Sequence, residues 1–152
     1  MNMPFHIGIA VPDLARGLEE FSDLFGVTWR PVQEVPLSLT DEHGHRHDVT
    51  MQVTFSLTSP FALELWEAIP GTPLAAPEGT FVHHLGYWTD NFESERQRLT
   101  DLGYPAILTS PIGVIHRGPG GLGVEPEDVH REFPSLRDLY PLSSPFSGQP
   151  EF

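Results

Sequence analysis

Four residues set on four separate extended stretches carry the chemistry of this chain: His6, Glu64, His84 and Glu125. In a strand, alternate side chains point to opposite faces, so each face can be read by itself. The face that carries His6 also carries Gly8 and Ala10, and the face with Glu64 carries Ala62 and Trp66. His84 shares its face with Gly86 and Trp88, and Glu125 shares its own with Gly123. Small neighbours beside possible ligands leave a hollow, with Trp66 and Trp88 as its walls. Two imidazoles and two carboxylates form a mixed nitrogen and oxygen donor set suited to a divalent transition metal such as Zn, Ni, Co, Mn or Fe. The chain has no cysteine, which excludes a thiolate site and any disulfide. Taken singly, each of the four reads as a surface residue or a satisfied core group. Four in equivalent places point to one site.

The equivalence comes from a repeat. Phe5-His6-Ile7-Gly8-Ile9-Ala10-Val11-Pro12-Asp13-Leu14 recurs around His83-His84-Leu85-Gly86-Tyr87-Trp88-Thr89-Asp90-Asn91-Phe92. His6 falls on His84, Gly8 on Gly86, Asp13 on Asn91 and Leu14 on Phe92. Each copy reads as a strand, a polar helix cap and a helix. In the first copy Phe5, Ile7, Ile9 and Val11 are expected to pack under a helix whose apolar face is Leu14, Leu18, Phe21, Leu24 and Phe25, with Gly26 as its stop. An edge-like extended run follows from Thr28 to Leu39, interrupted by Pro31 and Pro36. A polar turn spans Asp41 to Asp48. Thr50 to Leu57 alternates as a half-buried strand with Gln52, Thr54 and Ser56 on the side away from the helix, and Phe61 to Ile69 forms a fourth strand after a break at Ser59-Pro60.

Pro70 to Gly79 is rich in proline, glycine and alanine and reads as a linker. Beyond it come a strand over Val82 to Thr89 and a helix with Phe92, Leu99 and Leu102 on one side. Short extended pieces follow at Pro105 to Leu108, Gly113 to His116 and Leu122 to Glu125. Pro126 cannot donate a ladder hydrogen bond, so the last strand is expected to end at Glu125. The order strand, helix, strand, strand, strand therefore occurs twice. It divides the chain into a first module (1–69), a linker (70–80), a second module (81–125) and a tail (126–152) with a short helix near Val129 to Leu139.

Composition narrows the function classes. A formal charge of −13 speaks against nucleic acid, which needs clustered cations. All eight basic residues are arginine, so Schiff-base chemistry is excluded and a heavily phosphorylated substrate is disfavoured. No run has the length of a membrane span and no signal segment is visible, which makes a cytoplasmic protein the default. Gly118 to Gly121 lacks the lysine and long helix of a phosphate loop. His43, His45 and His47 read as a solvated turn or an adventitious metal site. His83 is expected to point away from the face of His84. His116 and Arg117 could meet a substrate carboxylate or carry a proton, or simply pack at a strand end.

The motifs "HIGIAVPDL", "LELWEAIPGTP", "HHLGYWTDN" and "HRGPGGLGVE" resemble the vicinal oxygen chelate superfamily over about residues 5 to 125. Glyoxalase I, methylmalonyl-CoA epimerase, bleomycin-resistance proteins and extradiol dioxygenases share this fold. The resemblance implies an α+β fold of two paired βαβββ modules, forming a curved, cup-like mixed sheet with helices outside. It implies metal ligands at His6, Glu64, His84 and Glu125, and a homodimer. By the same resemblance, Glu125 or Glu64 serves as the base of a metal-dependent lyase or isomerase that moves a proton next to a carbonyl through a stabilised enediolate or enolate.

The expected partner is a small carbonyl or aromatic compound, without nucleic acid or membrane. Trp66, Trp88, Gln52, Thr54, His116 and Arg117 are the candidate substrate contacts. Two other functions compete: sequestration of a planar compound in a metal-free cup, and ring cleavage by non-haem iron.

Overall fold

The computed structural model describes residues 4–58 and 61–130. Strand β1 (Pro4–Val11) ends where Asp13 turns its carboxylate onto Arg16 N and caps helix α1 (Leu14–Phe25), which stops at Gly26 in the left-handed conformation. Leu14, Leu18 and Phe21 of α1 pack on Ile9 and Val11 of β1 and on Leu65 of β4 (Ala62–Glu67). The pattern recurs with β5 (Val82–Thr89) and α2 (Phe92–Asp101), capped by Asn91. Between these units run β2 (Gln33–Asp41) and β3 (Arg46–Phe55), and after them β6 (Ala106–Thr109), β7 (Val114–Arg117) and β8 (Gly123–Asp128).

The eight strands close in the order β1-β4-β3-β2-β6-β7-β8-β5. β1 with β4 and β5 with β8 are parallel, and the remaining pairs are antiparallel. The fold is the expected α+β architecture, a curved mixed sheet with two helices outside. Its two seams are unequal. β1 and β5 pair along most of their length, whereas β2 meets β6 only at Thr40–Thr109 and Asp41–Leu108. For most of its length β2 is therefore an edge, and Pro36 sits there without cost to a ladder.

Three sequence expectations need correction. Phe5 does not pack under α1: the β1–β5 register slips between Pro4 and His6, and Phe5 stacks instead on Trp88. Such a bulge leaves one residue unpaired and re-aims its side chain. β3 is turned over, with Met51, Val53 and Phe55 facing the cup and Gln52 exposed. Most outward residues of β2 and β3 are exposed, so water lies outside and the alternation puts the apolar side inward. β8 runs through Pro126 to Asp128. Val129 N donates to Thr89 O, so by alternation the odd-numbered amides of β8 face β5. Pro126 then faces the other side, where pairing with β7 has ended at Val124. The break at Ser59-Pro60 and nearly all of the expected helix near Val129 to Leu139 lie outside the described residues.

Candidate metal centre

The β1–β5 seam brings the two histidines together. His6 lies opposite Gly86 and Gly8 opposite His84, so each imidazole crosses the glycine of the facing strand. A Cβ on Gly86 would overlap the His6 ring, and one on Gly8 would overlap the His84 ring. The small residues beside the ligands therefore do not open a hollow; the opposite histidine fills it. β4 runs beside β1 and presents Glu64, while β8 runs beside β5 and presents Glu125. Glu125 lies against Gly113, whose missing side chain leaves room for the carboxylate.

One donor atom from each of these four residues lies within 4.8 Å of the other three. His84 Nε2 is 2.9 Å from Glu125 Oε2, 3.1 Å from Glu64 Oε2 and 3.0 Å from His6 Nε2. His6 Nε2 is 3.5 Å from each carboxylate. Donors placed about 2.1 Å from a shared ion sit about 3.0 Å apart at right angles and about 3.4 Å apart at tetrahedral angles, so these separations fit one divalent cation. Glu64 Oε2 is buried and has no hydrogen-bond partner outside the quartet, as a ligand atom would be.

The electrostatics agree with the geometry. Burial alone would push the His84 pKa down, but Glu125 and Glu64 outweigh it and raise it to about 10. Burial likewise favours the neutral form of Glu125, yet His84 and His6 hold its carboxyl well below the usual carboxylate range. Without a cation, a proton on His84 offsets part of the carboxylate charge. A metal ion would take the proton's place.

His83, expected to face away from His84, is 6 % exposed and turns back to its neighbour. The register slips here as well, between Gly8 and Ile9, and leaves His83 unpaired. Its Nε2 donates to Pro73 O at 2.7 Å, and its Nδ1 is 3.0 Å from His84 Nδ1. A carbonyl can only accept, so His83 Nε2 carries hydrogen and the neutral ring leaves Nδ1 as an acceptor. Burial depresses the His83 pKa to about 4, which keeps the ring neutral. His84 Nδ1 then donates and its Nε2 is turned to the centre. The signal in the sequence was the pair His83-His84 itself, but strict alternation hid it.

Above the quartet opens a cup of about 940 Å³, its mouth included, lined by Val35, Leu37, Met51, Val53, Leu108 and Ile115 among others. Trp66 lines it as well, fully buried, with its ring over His84 and Nε1 donating to Leu74 O. Thr54 is at the wall, but its hydroxyl is committed to Arg30 O. Trp88 lies apart from this lining, packed with Phe5 and Ala62. Gln52 is on the outer surface. His116 is buried with Nδ1 donating to Tyr104 O, and Arg117 is drawn outward to Glu42. His43, His45 and His47 surround Asp41 in the exposed hairpin turn, where His47 is hydrogen-bonded to its carboxylate. No helix among the described residues is long and apolar enough to cross a membrane.

This architecture and donor set define a class. Residues 5–118 match the model of the glyoxalase/bleomycin resistance protein/dioxygenase superfamily. The chain belongs to that superfamily, as its motifs suggested. A search of curated proteins finds no match. Among solved structures, a hypothetical protein from Bacillus halodurans C-125 is similar at 18% identity and a TM-score of 0.62, covering 87% of this chain and 97% of its own. A methylmalonyl-CoA epimerase bound to methylmalonyl-CoA and NH4+ is similar at 19% identity and 0.58, covering 87% and 98%. A mutant 4-hydroxymandelate synthase from Streptomyces coelicolor is similar at 15% identity and 0.56, covering 87% of this chain and 50% of that one. At these identities the likeness is one of fold.

Proposed function

We propose that this protein is a metal-dependent lyase or isomerase of the glyoxalase or epimerase type, which moves a proton next to a carbonyl. The observation that carries this is the convergence of His6, Glu64, His84 and Glu125 at one point beneath an apolar cup. These four residues would hold a divalent ion. When bound, such an ion supplies Lewis acidity toward a substrate oxygen and offsets the charge that develops there.

The chain's own residues do the rest. The carboxylates of Glu64 and Glu125 line the cup, so both can be reached from it. Glu125 is the leading candidate to accept the proton beside the carbonyl and return it, with Glu64 as the second. His83 and the Pro73 carbonyl hold His84 in one orientation, so the base acts against a fixed frame. The apolar wall limits water around the reacting carbon. A homodimer in the cytoplasm completes the proposal.

Elemental analysis provides the test. Protein purified without added ion is expected to carry about one equivalent of divalent metal, and His6→Ala or His84→Ala to carry none. Full retention in either variant refutes the site. Glu125→Gln should lower turnover of a carbonyl substrate by at least about 100-fold, in the range of general-base loss.

The apolar wall favours one rival, a protein that sequesters a planar compound without chemistry. Metal-free native protein carrying a tightly bound organic ligand would establish that rival instead.

A further inference from the structure

Beyond the metal-binding quartet, the polar groups of the cup are few, and one of them is unusual. Arg30 is the only guanidinium among the described residues lining the cup, and its Nη1 is buried without a hydrogen-bond partner. A buried donor left unpaired is costly, and a charged one more so. In a chain of charge −13 the shortage of carboxylates cannot explain it. The backbone holds the residue in place. Arg30 N donates to Phe55 O at 2.9 Å, and Arg30 O accepts from Thr54 Oγ1 at 2.7 Å. On the far side of Phe55 lies Glu64. Arg30 and Glu64 thus flank β3, about 10 Å apart at the backbone from two strand spacings.

The charges of the lining limit what can enter. Among the described residues its ionic groups besides His84 are Glu64, Glu125, Glu127 and Arg30. A divalent cation would balance Glu64 and Glu125, and Glu127 has interactions of its own, which leaves Arg30 as the single cationic side chain of the described lining. A loaded cup has no cluster of positive charge for a polyanion. It has one guanidinium that can receive a single carboxylate.

We propose that the substrate is a largely apolar carbonyl compound bearing one carboxylate, which pairs with Arg30 while the carbonyl lies at the quartet. This rests on the metal-dependent function above, and it names the substrate class of that site. Compounds that carry several phosphates, coenzyme A thioesters included, fall outside the class.

The test uses a matched pair of probes, 4-oxo-4-phenylbutanoate and its methyl ester, titrated calorimetrically into zinc-loaded protein. Zinc content is measured on the same samples. The acid should bind about tenfold tighter than the ester, the scale of one charge-assisted hydrogen bond. Arg30→Gln should bring the two within about twofold, with zinc content and ester affinity unchanged; Arg30→Lys should keep part of the preference. Equal binding of acid and ester by the native protein overturns the proposal, and so does an undiminished preference in a folded Arg30→Gln variant. If zinc is bound but the preference is missing, the carboxylate site fails and the metal centre stands. If the preference is present but zinc is not held, Arg30 stands as the anion site and the metal-dependent function fails.

Discussion

The two halves of the barrel place the same histidine in the same way and support it differently. His6 and His84 occupy equivalent positions, each lying over the glycine of the other's strand, and each follows a residue pushed out of register by a bulge. That preceding residue is Phe5 in one half and His83 in the other. Phe5 meets His6 edge-on at 4.5 Å and stacks on Trp88, while His6 Nδ1 is buried without a partner. His83 hydrogen-bonds His84 and the Pro73 carbonyl. One imidazole is held by packing and the other by a directional chain. The helices repeat the contrast. α1 buries Leu14 and half-buries Leu18 and Phe21 against the sheet. α2 buries Leu99 and the carboxylate of Glu95, which accepts from Tyr87 Oη at 2.5 Å and from Arg98. Symmetry of placement thus coexists with asymmetry of support, because placement depends on strand register whereas support depends on whatever side chains reach the ring.

The shared glycines should give the largest effect. Gly86→Ala displaces His6 and Gly8→Ala displaces His84, and each should weaken metal binding by about 100-fold or more, the upper range for lost ligand support. Competition with a chromophoric chelator measures this. If either variant binds the ion normally, the crossed arrangement is wrong.

Metal removal comes next. Chelation should lower stability by about 2.7 kcal/mol where the ion had been present at 100 times its dissociation constant. A thermal melt would read this as a fall of about 5–10 °C for a chain of this size. The difference between loaded and stripped protein should vanish in Gly86→Ala. Retention should also weaken as the pH falls, since the imidazoles and carboxylates must shed protons to bind the ion.

The comparison sharpens with His83→Phe, which gives the second half the residue of the first. Affinity for the ion should fall by about 10–100-fold. Proton NMR should show the His84 Nδ1–H losing its hydrogen-bonded downfield shift and exchanging faster with water. A change in affinity without a change in the His84 ring would show that His83 acts only by packing.

Tyr87→Phe should produce the smallest effect, a loss of about 1 kcal/mol with Glu95 keeping Arg98 as its partner. It also carries a pH signature. Burial first, and then the Glu95 carboxylate, raise the Tyr87 pKa above its ordinary value of 10.0. A group with a raised folded pKa contributes stability that is full below the unfolded value and lost as the pH rises through the folded one. The native protein should therefore lose stability above about pH 10, and the variant should lose less there. Urea titration at pH 8 and pH 11 separates the two.

The sequence carried its own account of the quartet's residue types. The repeat HxG, with a cap and a helix after each copy, marked both histidines, and alternation placed Glu64 and Glu125 on the faces they occupy. It also gave the order of the strands along the chain, since helix caps and the period of two are local properties. What it did not reveal shares one cause. The facing of Phe5, His83 and Gln52, and the run of β8 through Pro126, depend on bulges, on which side of a strand meets water, and on where a neighbouring strand stops. No residue fixes these alone. The crossing of each histidine over the opposite glycine is likewise a matter of register between chain segments about 80 residues apart. Composition set the acidic surface and the lack of thiol or lysine chemistry. Only the closed sheet brought two imidazoles and two carboxylates to one point and left Arg30 unpaired among apolar walls, because short-range preferences decide what an element is and packing decides what it meets.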